Sequence, residues 1–166
     1  MSSSCRVSVR SGGQSGVDRA ALDIAIEKQI PYSGWCPKGG WAEDFPSPPG
    51  LLCQYHRLVE TPSTSVEQRT AWNVRDSHAT LVLLMGSDAS SKGTRFTKLC
   101  VELIFVRPRY YVDLDLGRPV QSLRDWLNGT MDEIGVDVLN LNIGGPRESE
   151  CPGIYRIACE FLSEIL

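Results

Sequence analysis

Residues 79–85 read Ala79-Thr80-Leu81-Val82-Leu83-Leu84-Met85. The run is apolar with no polar alternation, as a strand covered on both faces requires, and two-sided cover is the mark of a parallel sheet sandwiched between helices. Working outward, shorter strands are expected at Cys5 to Val9, Ile30 to Trp35, Arg57 to Glu60, Arg109 to Leu114 and Asp137 to Ile143. Stretches of helical period lie between them. From Gly16 to Lys28 the apolar Val17, Ala20, Ala21, Ile24 and Ala25 recur at three- and four-residue spacing, with Asp18, Asp23 and Glu27 elsewhere on the circle. Thr64-Ser65-Val66-Glu67 has capping-box spacing and opens a helix to about Arg75. Further helices are expected from Thr94 to Val106, from Gln121 to Ile134 with a stop at Gly135, and from Ile154 to the end. Strands alternating with helices give an α/β protein with an open, mainly parallel sheet of about six strands.

The totals set the frame. A chain of 166 residues holds one well-buried core, so residues 1–166 are expected to form one domain. With 42% apolar residues, 22% charged and a net charge of −3, it is not the composition of a general nucleic-acid or membrane-surface binder. No run approaches membrane-spanning length and the first residues lack a signal-peptide core, so a cytoplasmic location is expected. The six cysteines form no C-x-x-C pair, which argues against zinc, and His56 and His78 are too isolated for a metal triad. Cys36 and Cys151 flank Gly/Pro loops, which leaves a reactive-thiol role open beside the preferred reading as small packed side chains.

Three strand-to-helix turns carry the chemistry. Ser11-Gly12-Gly13-Gln14-Ser15-Gly16-Val17-Asp18-Arg19 joins a β-branched run to an amphipathic helix. Glycines there let an anion approach the backbone, the helix N-terminus offers amide donors, Ser15 adds a hydroxyl, and Arg19 can reach back with a planar fork. The spacing matches neither a P-loop nor the dinucleotide fingerprint, and a plain turn remains the alternative. Residues 86–94 form a second turn rich in glycine and hydroxyls, ending in Gly93-Thr94; residues 144–149 form a third with Gly145, Arg147 and Glu148. In an open α/β sheet such turns reach one edge, so the three define a polar cleft. The Pro/Gly-rich stretch from Cys36 to Gly50 is long for a loop in a compact domain. Its Lys38, Trp41, Glu43 and Asp44 are candidates for a lid over that cleft, against an equal reading in which the tryptophans anchor a surface loop. Asn73 and Asp76 close a helix just before the central strand, where C-capping competes with a site role.

Taken together, Ser-Gly-Gly-Gln-Ser-Gly-Val-Asp-Arg at 11–19, Gly-Trp-Cys-Pro-Lys-Gly at 34–39, Ala-Glu-Asp at 42–44, Arg-Thr-Ala-Trp-Asn-Val-Arg-Asp-Ser at 69–77, Gly-Thr at 93–94 and Leu-Asn-Ile-Gly-Gly-Pro-Arg-Glu-Ser at 141–149 resemble the molybdenum carrier family. That family lies within the Rossmann-like SLOG superfamily, which also holds DprA and the LOG phosphoribohydrolases. The resemblance spans nearly the whole chain; Ser15 stands where Thr is usual, and Lys92 where a second glycine would precede Gly93. It implies a three-layer doubly wound Rossmann-like parallel sheet in strand order 3-2-1-4-5-6, with a molybdenum cofactor or another phosphorylated pterin or nucleotide held by Gly12, Gly13, Gln14, Ser15, Gly16, Arg19, Lys38, Glu43, Asp44, Asn73, Asp76, Gly93, Thr94, Gly145, Arg147 and Glu148. The expected partner is therefore a small phosphorylated ligand, not nucleic acid or membrane, with a homo-oligomer left open. Two functions of different class stand side by side. One is a non-catalytic carrier; the other is a LOG-type phosphoribohydrolase in which Glu102 or Asp113 stabilises an oxocarbenium-like sugar. Arg95-Phe96-Thr97-Lys98 follows the Gly-Thr turn without the nearby Glu those hydrolases use, which favours the carrier.

Overall fold

The structure is a computed structural model, described for residues 6–86 and 91–166. Cys5, expected to open the first strand, and residues 87–90 of the second turn lie outside the described residues. In chain order the elements are β1 (Val7–Arg10), α1 (Val17–Glu27), β2 (Tyr32–Cys36), β3 (Leu58–Glu60), α2 (Val66–Arg75), β4 (Ala79–Leu84), α3 (Lys92–Leu99), β5 (Arg109–Asp113), α4 (Val120–Ile134), β6 (Leu139–Gly144) and α5 (Ile154–Ile165). A 3₁₀ turn at Gly50–Cys53 and a π-helical turn at Cys100–Ile104 complete them. Helix α3 starts two residues before the expected Thr94, because Ser91 caps it: its Oγ accepts the Thr94 amide at 3.0 Å. The cap of α2 is Ser65 rather than Thr64; its Oγ accepts the Glu67 amide at 3.2 Å.

All strand pairs are parallel, in the order β3-β2-β1-β6-β4-β5. The expected order 3-2-1-4-5-6 is corrected at one strand: β6 lies between β1 and β4 instead of at the edge. Burial explains the choice. Both β4 and β6 are buried almost throughout and need neighbours on each side, whereas β5 keeps partly exposed residues along its length and ends the sheet. Right-handed crossovers then set the layers. Connections running toward β3 place α1 and α4 on one face, and those running toward β5 place α2 and α3 on the other. The packing agrees, with α1, α4 and α5 together and α2 against α3.

The main core fills the α1/α4/α5 side, where Leu81, Leu83, Leu139, Leu141 and Ile143 meet Leu123, Leu127, Phe161 and Leu162. A smaller cluster of Leu22, Cys36, Ala42, Leu51, Tyr55 and Leu58 anchors the long loop after β2. Tyr55 is 1% exposed and donates to Asp23 at 2.7 Å. The loop is held at Cys36, Ala42, Leu51 and Tyr55, and neither Trp35 nor Trp41 is among its anchors in this cluster.

Candidate functional site

The crossing of β6 between β1 and β4 brings the turns after these strands to one carboxyl edge. The narrow polar cleft there is lined by residues of all three turns and of α2: Gly12, Gln14 and Asp18; Arg69, Thr70 and Asn73; Ser91, Gly93 and Thr97; and Asn142, Gly144, Gly145, Arg147 and Glu150. Its cavity volume is about 40 Å³. One water needs roughly 10–15 Å³ on this measure, so the cleft admits about three water-sized groups, the scale of a tetrahedral oxyanion.

The floor is a buried ion pair. Arg69 Nη1 donates to Asp18 Oδ2 at 2.7 Å, and both side chains are 10% exposed. Burial pushes the Asp18 carboxyl above its ordinary range, with Arg69 the main opposing influence. Arg69 Nε is buried and has no hydrogen-bond partner among the described residues. Arg147 is held less firmly, by ion pairs of 3.8 Å to Glu43 and 3.6 Å to Glu150. The charged lining residues are two arginines and two carboxylates, Asp18 and Glu150. Net charge therefore does not favour an anion; directed donors must. Helix α3 supplies them, since its first amides have no partner within the helix and Gly93, with no Cβ, stands at its mouth. Among the described residues, a Cβ on Gly93 would meet nothing nearer than Ser91 Oγ at 3.9 Å.

The first glycine loop lends Gly12, Gln14 and Asp18 to this cleft, and several of its other groups are engaged by protein. The Val17 amide donates to Pro146 O at 3.2 Å and the Ser15 amide to Gln14 Oε1 at 3.0 Å. Gln14 Oε1 also accepts the Glu43 amide at 2.9 Å. Arg19 does not reach over the cleft. Its Nη atoms hold Asp44 at 2.8 and 2.9 Å, its Nε and Nη2 hold Gly13 O, and its fork lies over the rings of Phe45 and Tyr55. Gly13 has φ +74°, and a Cβ there would meet Leu51 and Leu58, so that position faces the smaller core and Gly12 faces the cleft.

The remaining predicted residues divide in the same way. Ser15 Oγ donates a short hydrogen bond to Glu43, whose carboxylate also takes the Ser149 hydroxyl at 2.6 Å and amide at 3.2 Å, so Glu43 clasps the first and third turns together. Glu148 accepts the Gly153 and Tyr155 amides at 2.5 and 2.9 Å and thereby caps α5. Gly16 makes the close approach to Pro146 at φ +85°. Asn73 lines the cleft but exchanges hydrogen bonds of 2.8 and 2.9 Å with the Trp35 backbone, while Asp76 takes the Trp35 indole N–H at 2.7 Å. Thr94 is buried on Ser91, whose Oγ donates to its hydroxyl at 2.8 Å. Lys38 lies outside the cleft, on a separate hollow with Trp41. Cys36 is fully buried and its thiol is pushed up to about 11, chiefly by that burial, which leaves it un-ionised. Residues that the sequence pattern did not single out include Arg69, Thr70, Ser91, Thr97, Asn142 and Glu150. The available signal for Arg69 was its place three residues after Val66 on the packed stripe of α2, where a charge must have a buried partner.

These features define a class: a doubly wound parallel α/β protein presenting an oxyanion-sized polar cleft at the switch point of its sheet. Over residues 9–166 the chain matches the Circularly permutated YpsA SLOG family, and it belongs to that family. The permutation is visible in the sheet. Counting β6 as the first strand turns the observed order into 4-3-2-1-5-6, which winds outward from a single switch. The chain is also similar to the crystal structure of a putative molybdenum carrier protein from Syntrophus aciditrophicus SB, at 35% sequence identity and a TM-score of 0.80, covering 98% of this chain and 96% of that one. No curated protein matches. Among the described residues no helix is long and apolar enough to cross a membrane.

Proposed function

We propose that the protein is a carrier that captures a phosphorylated small molecule by its phosphate in this cleft, with a molybdenum cofactor or a related phosphorylated pterin or nucleotide as cargo. The observation that carries the reading is Arg69: a nine-tenths buried guanidinium on the cleft wall, fixed by Asp18 beside the N-terminus of α3 and Gly93, where charged and amide donors converge on one oxyanion-sized space. The name of the similar Syntrophus protein supports molybdenum-linked cargo. The hydrolase alternative draws less support. Glu102 takes the Tyr111 hydroxyl and lies 3.7 Å from Arg109, and Asp113 accepts the Gly86 amide at 2.9 Å; neither lines the cleft. The test is calorimetric titration with ribose 5-phosphate and GMP. Arg147→Ala is expected to weaken phosphate capture by about 1.5–3 kcal/mol, the range of a charge-assisted hydrogen bond. Unchanged affinity would remove the cleft from the site, and guanine released from GMP above background would replace the carrier by a hydrolase.

A further inference from the structure

The enclosed part of the cleft, about 40 Å³, matches an oxyanion, so a ring-bearing phosphate would extend beyond it. A second hollow of about 510 Å³ is walled by Lys38, Gly39, Trp41, Pro46, Pro48 and Val66, and its surface is mostly apolar. That volume is in the range of small-molecule sites. The two cavities are neighbours along one helix. Val66 lines the hollow, and Arg69 and Thr70 line the cleft, which are the i, i+3 and i+4 positions of the first turns of α2. Residues so spaced share a face about one turn, roughly 5–6 Å, apart.

Resting on the phosphate-capture reading above, we infer that the Trp41 hollow is the ring subsite of a two-part site: a flat heteroaromatic ring lies against Trp41 while its phosphate enters the Arg69 cleft one helix turn away. The walls suit a flat ring. The tryptophan and two prolines present broad apolar surfaces, and Lys38 brings a cation to a ring edge bearing an oxo group. The hollow is already shaped before any ligand arrives. The Lys38 amide donates to Ser63 O at 2.9 Å, the Gly39 amide to Glu60 at 2.8 Å and the Leu51 amide to Gly40 O at 2.7 Å, while Ala42 and Leu51 are fully buried in the smaller core. Trp35, the other tryptophan of this region, is not part of it; its ring packs edge-on against Trp72 at 4.8 Å.

The experiment compares two probes on the full chain. GMP carries a flat amino-oxo ring and a phosphate; ribose 5-phosphate carries the phosphate alone. The wild type is expected to bind GMP at least about fivefold more tightly, the lower end of what stacking a base on an aromatic ring contributes. Trp41→Ala should bring GMP down to the ribose 5-phosphate level and leave ribose 5-phosphate within about twofold. Trp41→Phe, which keeps a flat ring, should restore most of the preference and guards against a folding effect. Equal affinity of the wild type for the two probes, or an equal loss of both on Trp41→Ala, overturns the ring subsite and leaves phosphate capture standing. Failure of the wild type to bind either probe overturns phosphate capture itself, and the ring subsite with it.

Discussion

The first glycine loop and the start of α3 carry the same residue types, glycine and hydroxyls at a helix N-terminus, yet they are employed differently. In the first, the Val17 amide is held by Pro146 and the Arg19 fork by Asp44, while the Ser15 amide and Gly13 O are held within the loop, so much of the loop is a junction with the long loop and the third turn. In the second, Ser91 caps one amide and Gly93 stands open to the cleft. Cleft lining separates their residues: Gly12, Gln14 and Asp18 of the first loop reach the cleft, whereas Ser15 and Arg19 are taken by Glu43 and Asp44. A group in a glycine-rich turn serves a ligand only where protein does not already satisfy it, and sequence pattern alone does not report that.

The largest expected effect tests what joins the two regions. Arg69 ties Asp18 of the first loop's helix to the cleft. Arg69→Met would leave Asp18 buried without its partner and is expected to cost about 3–5 kcal/mol in a denaturant titration, while Asp18→Leu with Arg69→Met should recover most of it. A loss under about 1 kcal/mol in the single variant would mean that Asp18 is carried neutral, and the pair would no longer anchor the junction.

A pair of glycine substitutions then separates junction from mouth. Gly16 has φ +85°, and a Cβ would press on the backbone of Pro146 and Glu148, so Gly16→Ala should destabilise by about 2–4 kcal/mol from strain and overpacking. Gly93 sits in α3 with no described residue crowding it, so Gly93→Ala should leave stability within about 1 kcal/mol or raise it, since Gly is the poorer helix former. The same methyl narrows the cleft and should weaken phosphate binding. Equal stability losses at the two positions, read by thermal unfolding, would erase the distinction between them.

The fold was legible to the extent that local pattern decides it. The run at 79–85 announced a strand buried on both faces, and β4 is buried at every position. The place of β6 was not legible, because which strands adjoin is set by long-range burial and by a permuted chain order, neither of which leaves a local mark. Within the site, Gly12, Gln14, Gly93, Gly145 and Arg147 are brought to the cleft as the turns suggested, whereas Arg19 and Glu148 are drawn to protein partners. Arg19 reads alike in both cases: an arginine one turn into a helix fits an anion or a carboxylate equally well, and Asp44, 25 residues away, happens to be the carboxylate it meets. Arg69 was passed over for the converse reason, since its partner Asp18 lies 51 residues distant.

The smallest effect concerns that Arg19–Asp44 pair, the most exposed tie of the junction. Arg19 is 10% exposed but Asp44 is 46% exposed, so solvent screens the pair and its contribution should stay under about 1 kcal/mol. The hydrogen bonds from Arg19 hold the Asp44 carboxyl below its ordinary value. A carboxyl depressed in the folded state binds its proton more readily when unfolded, so its contribution is fully present above the unfolded value, about 3.9, and is lost as pH falls through the folded one. Asp44→Asn should therefore be slightly less stable than the wild type at neutral pH, and the difference should close below about pH 4. Urea midpoints measured from pH 7 to pH 3 would read it. A gap that stays constant, or widens on acidification, would assign the effect of Asp44 to packing near Phe45 instead of to charge, and would leave Arg19 held by Gly13 and the aromatic rings alone.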